Sequence, residues 1–202
     1  MASASRVREG LTLEEFLRMP EIDQQPYLEF IGGRIEAKAM PKTKHSIIQM
    51  RLTARLDEHA EPRRLGIPFP ELRCTFAGRS IVPDIAFLLD LHILTDDRGE
   101  FVDETPIPPD IHIEIISPDR HEKKSREKLA HSTANGSALG WLIHPYRETI
   151  HLYRPGREPE LLPHDGVLEG EPVLPGFRLP VAEVFGWLVH RRPGPGQPGG
   201  AG

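Results

Sequence analysis

Two carboxylates lie in runs of sequence where a charge is expensive to keep. Asp84 stands within Ile81-Val82-Pro83-Asp84-Ile85-Ala86-Phe87, and Glu114 within Ile111-His112-Ile113-Glu114-Ile115-Ile116. Burying an ionised carboxylate in such company is costly unless a cation or several hydrogen-bond donors meet it. In the second run the side chains alternate between two faces, so His112, Glu114 and Ile116 share a side. Hard cations such as Mg²⁺ take oxygen ligands, often one or two carboxylates completed by phosphate and water. A pair of acids on neighbouring strands supplies that minimum. The chemistry would be hydrolysis of a phosphodiester, with the cation lowering the pKa of a bound water and stabilising charge on the leaving oxygen. A nearby lysine would orient the water or meet the developing charge. Either acid alone reads better as a solvated or salt-bridged strand-end carboxylate; the two together favour a site.

The surrounding elements must hold these acids. A first helix is expected from Thr12, which has capping-box spacing to Glu15, and it ends before Pro20. YLEFIGGRIEAKAM reads as two strands turning at Gly32-Gly33, and a better helix runs from His45 to about Ala60, with Ile48, Leu52 and Leu56 on one stripe. In PELRCTF, Leu72, Cys74 and Phe76 alternate with Glu71, Arg73 and Thr75, as in a half-buried strand. Arg79-Ser80 reads as a turn, and IVPDIAFLL as one more deeply buried strand. Residues 95–110, acidic and Pro-rich, read as a loop. The Glu114 strand, Ile111 to Ile116, precedes a basic helix from about Asp119 to Thr133. Strands at Trp141 to Ile143 and Thr149 to Tyr153 follow, then a short closing helix from Val181 to Val189. This order predicts an α/β domain built around a central mixed sheet flanked by helices.

The chain has 202 residues, 38% hydrophobic and 27% charged, enough to bury one substantial core. A single domain over residues 11–190 is expected, between a flexible N-terminus (1–10) and a Gly/Pro-rich, disordered tail (191–202). The net charge of -5 argues against a dedicated nucleic-acid binder but not against an enzyme that meets phosphates through a local patch. One cysteine, Cys74, excludes an internal disulfide and fits a reducing compartment. The N-terminus lacks the apolar core of a signal peptide, and no stretch is apolar enough to cross a bilayer, so a cytoplasmic location is expected.

The ordered set PDIAF (83–87), EIISP (114–118), a basic helix, Gly136 and WLIHP (141–145) resembles the Uma-two family of restriction-endonuclease-like proteins. KAMPKTKHS, FPELRCTFAGRSIVPDI and ALGWLIHP bring it closest to a subgroup common in cyanobacteria, and the resemblance runs from about Leu13 to Leu188. It implies the PD-(D/E)XK nuclease fold, Asp84 as the PD aspartate and Glu114 as the second acid, together the ligands of Mg²⁺ or Mn²⁺. The superfamily lysine belongs two residues after that acid, where this chain has Ile116. The resemblance moves it to the following helix, where Lys124 and Lys128 compete, one turn apart and able to share a face, with Lys124 preferred by a small margin. A solvated basic face is the plain account of both. Glu29 is a candidate third acid, and His45 either contacts phosphate or water or caps its helix. Glu71 and Arg73 either line the site or form a surface ion pair. His144 and Ser132 stand where the family usually has aspartate and tyrosine.

The reading that follows is a metal-dependent endonuclease acting on DNA, with Arg120, Lys123, Lys124, Arg126 and Lys128 available to backbone phosphates. The alternative is a nuclease-fold protein without activity that binds nucleic acid or a protein. A small phosphate ester is a third, weaker substrate class. A homodimer would suit cutting both strands.

Overall fold

The computed structural model describes residues 10–118 and 122–190. The expected terminal segments, 1–9 and 191–202, and Arg120 of the basic segment lie outside the described residues. In chain order the elements are α1 (Leu13–Leu17), β1 (Leu28–Ile31), β2 (Arg34–Ala37), α2 (Thr43–Ala60), β3 (Gly66–Pro70), β4 (Arg73–Phe76), β5 (Arg79–Ile81) and β6 (Ile85–Leu89). Then come β7 (Glu104–Thr105), β8 (Ile111–Ile115), α3 (Glu122–Ala134), β9 (Leu139–His144), β10 (Thr149–Tyr153), β11 (Glu160–Leu162), β12 (Val167–Glu169), β13 (Arg178–Pro180) and α4 (Val181–Gly186).

The strands form two principal sheets. A six-stranded mixed sheet runs in the order β11-β10-β9-β8-β6-β3, with β8 and β9 parallel and the other pairs antiparallel. A five-stranded sheet runs β2-β1-β5-β4-β7, and β12 and β13 form a small ribbon. The expected α/β class with a mixed sheet flanked by helices is what is found.

Helix α2 buries Ile48, Leu52, Leu56 and Ala60, one residue every turn, against one face of the six-stranded sheet. That face presents Ile85, Phe87, Ile111, Ile113, Ile115, Trp141 and Ile143. The alternate residues of the same strands face α3 on the other side. Close approach there requires Gly140: a Cβ on it would stand 3.0 Å from Leu129 of α3 and 3.1 Å from Cβ of Tyr153. The capping box holds at α1, where Glu15 N–H donates to Thr12 Oγ1 (3.2 Å) and Thr12 N–H to Glu15 Oε2 (2.8 Å).

Three expectations change. Arg79-Ser80 is not a turn but the start of β5; the turn lies at Ala77 and Gly78, both at positive φ (45° and 75°). IVPDIAFLL is not one strand: β5 ends at Ile81 in one sheet and β6 begins at Ile85 in the other. Pro83 has no N–H for a ladder, and Asp84 turns its N–H to Ile113 O (3.1 Å), so the chain changes sheets between them. Residues 95–110 include β7, which pairs in parallel with β4. Strand β3 escaped notice because Pro68 and Pro70 demote it as a strand by sequence; it is an edge strand, where proline is tolerated.

Candidate active site

The change of sheet at residues 82–84 builds the site. Ile85 pairs with Ile113 at the end of the β6–β8 ladder, and just beyond it Asp84 bonds β8 on both sides of Glu114, through its N–H to Ile113 O and its carboxylate to the Ile115 N–H. Both side chains are wholly buried. Asp84 Oδ2 accepts the Ile115 N–H at 2.6 Å and lies 3.1 Å from His45 Nε2 of α2. Its Oδ1 forms an ion pair with Lys38 Nζ at 3.0 Å. The backbone around it is fixed too: Gln49 Nε2 and Glu71 N–H both donate to Asp84 O, at 2.8 and 3.3 Å.

Glu114 belongs to a second group, on the α3 side. Lys128 Nζ lies 2.6 Å from Glu114 Oε1 and 2.5 Å from Glu29 Oε1, and it donates to Val82 O at 3.2 Å. Glu29 Oε1 also accepts Val82 N–H at 2.8 Å. His112 Nε2 is 2.9 Å from Glu114 Oε1, and His112 Nδ1 is 2.6 Å from Ser132 Oγ. Burial pushes the His112 imidazole below its ordinary pKa, against the pull of Glu114. A neutral ring beside an ionised carboxylate must donate from Nε2, so Nδ1 accepts the Ser132 hydroxyl. Ser132 thereby orients His112, and His112 orients Glu114.

The two candidate lysines occupy neighbouring rungs. Glu29 and Glu36 are directly paired across β1 and β2. Lys128 meets Glu29, and Lys124, one turn earlier on α3, meets Glu36 at 2.7 Å. Lys128 is 1% exposed, whereas the Lys124 side chain is 42% exposed. Lys128, rather than the slightly preferred Lys124, is therefore the lysine brought to the acids, and it is no part of a solvated face. His45 is buried against Asp84 and does not reach a free surface. Ile116 packs with Leu129, Leu142 and Tyr153 in a small apolar cluster, which leaves no place for a lysine there.

Glu71 and Arg73 part company. Glu71 precedes β4 in a left-handed conformation (φ 56°) and sits 3.5 Å from Lys38 Nζ. Arg73 is buried and clamps the chain before β1, donating to Asp23 Oδ1 and Ile22 O, each at 2.8 Å. Both residues line a cleft of about 640 Å³ with Tyr27, Val82 and Asp103. The basic segment is mostly paired internally: Lys123 with Glu127, Lys124 with Glu36, Arg126 with Glu122. His144, at the end of β9, accepts N–H bonds from Tyr146 and Arg147 at its Nδ1.

The sequence of the Uma-two family, whose description reads "putative restriction endonuclease", matches residues 13–182. The chain belongs to this family. A crystal structure from Anabaena variabilis, described as a putative nuclease belonging to DUF820, superposes with a TM-score of 0.85 at 36% sequence identity, covering 89% of this chain and 99% of that one. No curated protein matches the sequence. The nuclease-like fold of this Uma-two chain thus rests on both sequence and structure. Among the described residues, no helix is long and apolar enough to cross a membrane.

Among the described residues, no three His, Cys, Asp or Glu side chains stand together as a metal cage. The donor chemistry nevertheless suits a hard divalent cation. Around Lys38 Nζ stand Asp84 Oδ1, Pro83 O at 3.2 Å and Glu71 Oε1, all oxygens of the kind Mg²⁺ and Mn²⁺ prefer. Lys38 is the residue the sequence reading missed. Its one signal was the alternation of Arg34, Glu36 and Lys38 through β2 and just past its end, three charges on the face that Ile35 and Ala37 avoid.

Proposed function

We propose that this chain is a divalent-cation-dependent nuclease that hydrolyses phosphodiester bonds in DNA, with Asp84 and Glu114 as its metal acids. The observation that carries the reading is the full burial of two carboxylates side by side at the end of the β6–β8 ladder, Glu114 on β8 and Asp84 where the chain passes between sheets, each compensated by a lysine and a histidine. A bound Mg²⁺ or Mn²⁺ would polarise the phosphodiester and lower the pKa of a water. The chain's own residues position and compensate. His45 and the Ile115 N–H hold Asp84. Lys128 and His112 hold Glu114, and Glu29 anchors Lys128. Lys128, being enclosed, is a positioning residue in this arrangement. Lys124, half-exposed on the next rung where it pairs with Glu36, is the lysine we assign to a substrate phosphate.

The test is cleavage of supercoiled plasmid and of single-stranded DNA in Mg²⁺ and in Mn²⁺, with Asp84→Asn and Glu114→Gln beside the wild type. Losses of about a hundredfold or more in both variants are expected, the scale of removing a group that stabilises transition-state charge. Equal cutting by the variants would sink the assignment. Ile116 at the superfamily's lysine position and the internally paired basic segment favour a second reading, a nuclease-fold protein that binds nucleic acid without cutting it. Retention of DNA in a mobility shift, with no cleavage in either metal, would select that reading.

A further inference from the structure

The two ammonium groups of the site sit in near-duplicate seats. Lys128 Nζ lies among Glu29, Glu114 and the carbonyl of Val82. Lys38 Nζ lies among Asp84, Glu71 and the carbonyl of Pro83. Among the described residues, each seat therefore joins two carboxylates to one carbonyl, and the carbonyls come from consecutive residues.

The seats differ in what surrounds them. The first is closed: Lys128, Glu114 and Glu29 are all 5% exposed or less. The second has one open side, because the Glu71 side chain is 24% exposed and lines the 640 Å³ cleft together with Tyr27 and Val82. The lysines are also tethered differently. Lys128 projects from the middle of α3, while Lys38 follows the last residue of β2 and is held there by a backbone bond from its N–H to Tyr27 O (2.7 Å). A four-carbon stem on an irregular segment, beside an open cleft, can swing away without unmaking a helix.

We propose that Lys38 is a built-in occupant of the cation seat. Its ammonium holds Asp84, Glu71 and the Pro83 carbonyl together, and a divalent cation displaces it into the adjoining cleft and takes over those oxygens. The inference rests on the metal-dependent reading and adds two things to it: Glu71 as a further ligand, and an internal competitor that sets how tightly the metal binds. A doubly charged ion satisfies two carboxylates and a carbonyl better than one ammonium does, but it must first evict that ammonium, so the apparent affinity is lowered.

The experiment measures Mn²⁺ binding to the full chain by electron paramagnetic resonance of the free ion, without DNA. Lys38→Met is expected to bind Mn²⁺ about tenfold more tightly than wild type, since a like charge has been removed from the seat. Glu71→Gln is expected to bind several-fold more weakly, and Lys44→Met, an exposed lysine on α2, to bind as wild type does. Equal or weaker binding by Lys38→Met overturns the proposal. Should Lys38→Met fail to fold, the wild type decides. Ca²⁺ is expected to raise acylation of the Lys38 amine several-fold relative to Lys123, read by peptide mass spectrometry, and an unchanged or lower rate overturns the proposal. Metal-dependent cleavage with Lys38 undisturbed would defeat this inference and leave the nuclease reading standing. No Mn²⁺ binding by either wild type or Lys38→Met would defeat both.

Discussion

Helices α2 and α3 cover opposite faces of the same six-stranded sheet and do so with different chemistry. The buried stripe of α2 is Ile48, Leu52, Leu56 and Ala60, preceded by His45 where the helix meets Asp84. The buried residues of α3 are Ser125, Lys128, Leu129, Ser132 and Thr133. The first helix is held by removing apolar surface from water, which is tolerant of detail. The second is held by a hydroxyl, a lysine and a histidine network in which each member satisfies another. Such a network is costly to leave half made. The α2 face is thus mainly apolar, with His45 and Gln49 reaching Asp84 near its first turns, while the α3 face carries the Lys128–Glu114–His112 network.

Lys128→Met tests the second face most severely. It removes the ammonium that Glu29 and Glu114 share, and a loss of about 3–5 kcal/mol in urea unfolding is expected. A loss below about 1 kcal/mol would mean that the α3 face is solvated in practice. Leu52→Ala tests the first face, with an expected loss of about 2–5 kcal/mol from the cavity. On the proposed nuclease reading it should leave the pattern of DNA cleavage unchanged once the protein is folded; a changed pattern would show that the two faces are not separable. Ser132→Ala removes the hydroxyl that His112 Nδ1 accepts, at an expected cost of about 1–3 kcal/mol. Its activity loss should exceed that of Leu52→Ala.

The smallest effect is a pH dependence. Burial, with Arg79 as a secondary cause, holds the His131 imidazole of α3 below its ordinary pKa. The unfolded chain therefore takes up this proton first as the pH falls. The stability His131 contributes is complete above about pH 6.5 and is lost progressively as the pH falls through the depressed folded-state value. Unfolding free energies of His131→Gln should fall less steeply below that pH than those of the wild type. Identical slopes would remove His131 as a source of acid sensitivity.

The contrast between the helices also explains what could be read from sequence. The α2 stripe repeats every four residues, and that period alone gave both the helix and its inward face. The α3 segment looked like a solvated basic helix because its inward face is polar, and no periodicity of apolar residues distinguishes Lys128 from Lys123. Asp84 and Glu114 were legible because a lone acid in an apolar strand needs a partner. Which partner was not: Lys38 is 46 residues from Asp84 in the chain (84 − 38), and only the pairing of β1 with both β2 and β5 brings them together. The run IVPDIAFLL read as one strand because both halves are apolar; the sheet change inside it depends on Glu29 and Ile113 taking up the backbone N–H groups of Val82 and Asp84.

That three-residue passage from Ile81 to Ile85 makes the length of the chain itself a functional parameter. Side chains alternate with a period of two, so removing or adding a single residue there would turn Asp84 or the whole of β6 to the wrong face. Loops elsewhere, such as the exposed stretch around Arg98 and Gly99, can absorb insertions without moving either sheet. In a library of single-residue deletions, positions 82–84 should thus form the sharpest gap in the map of tolerated lengths.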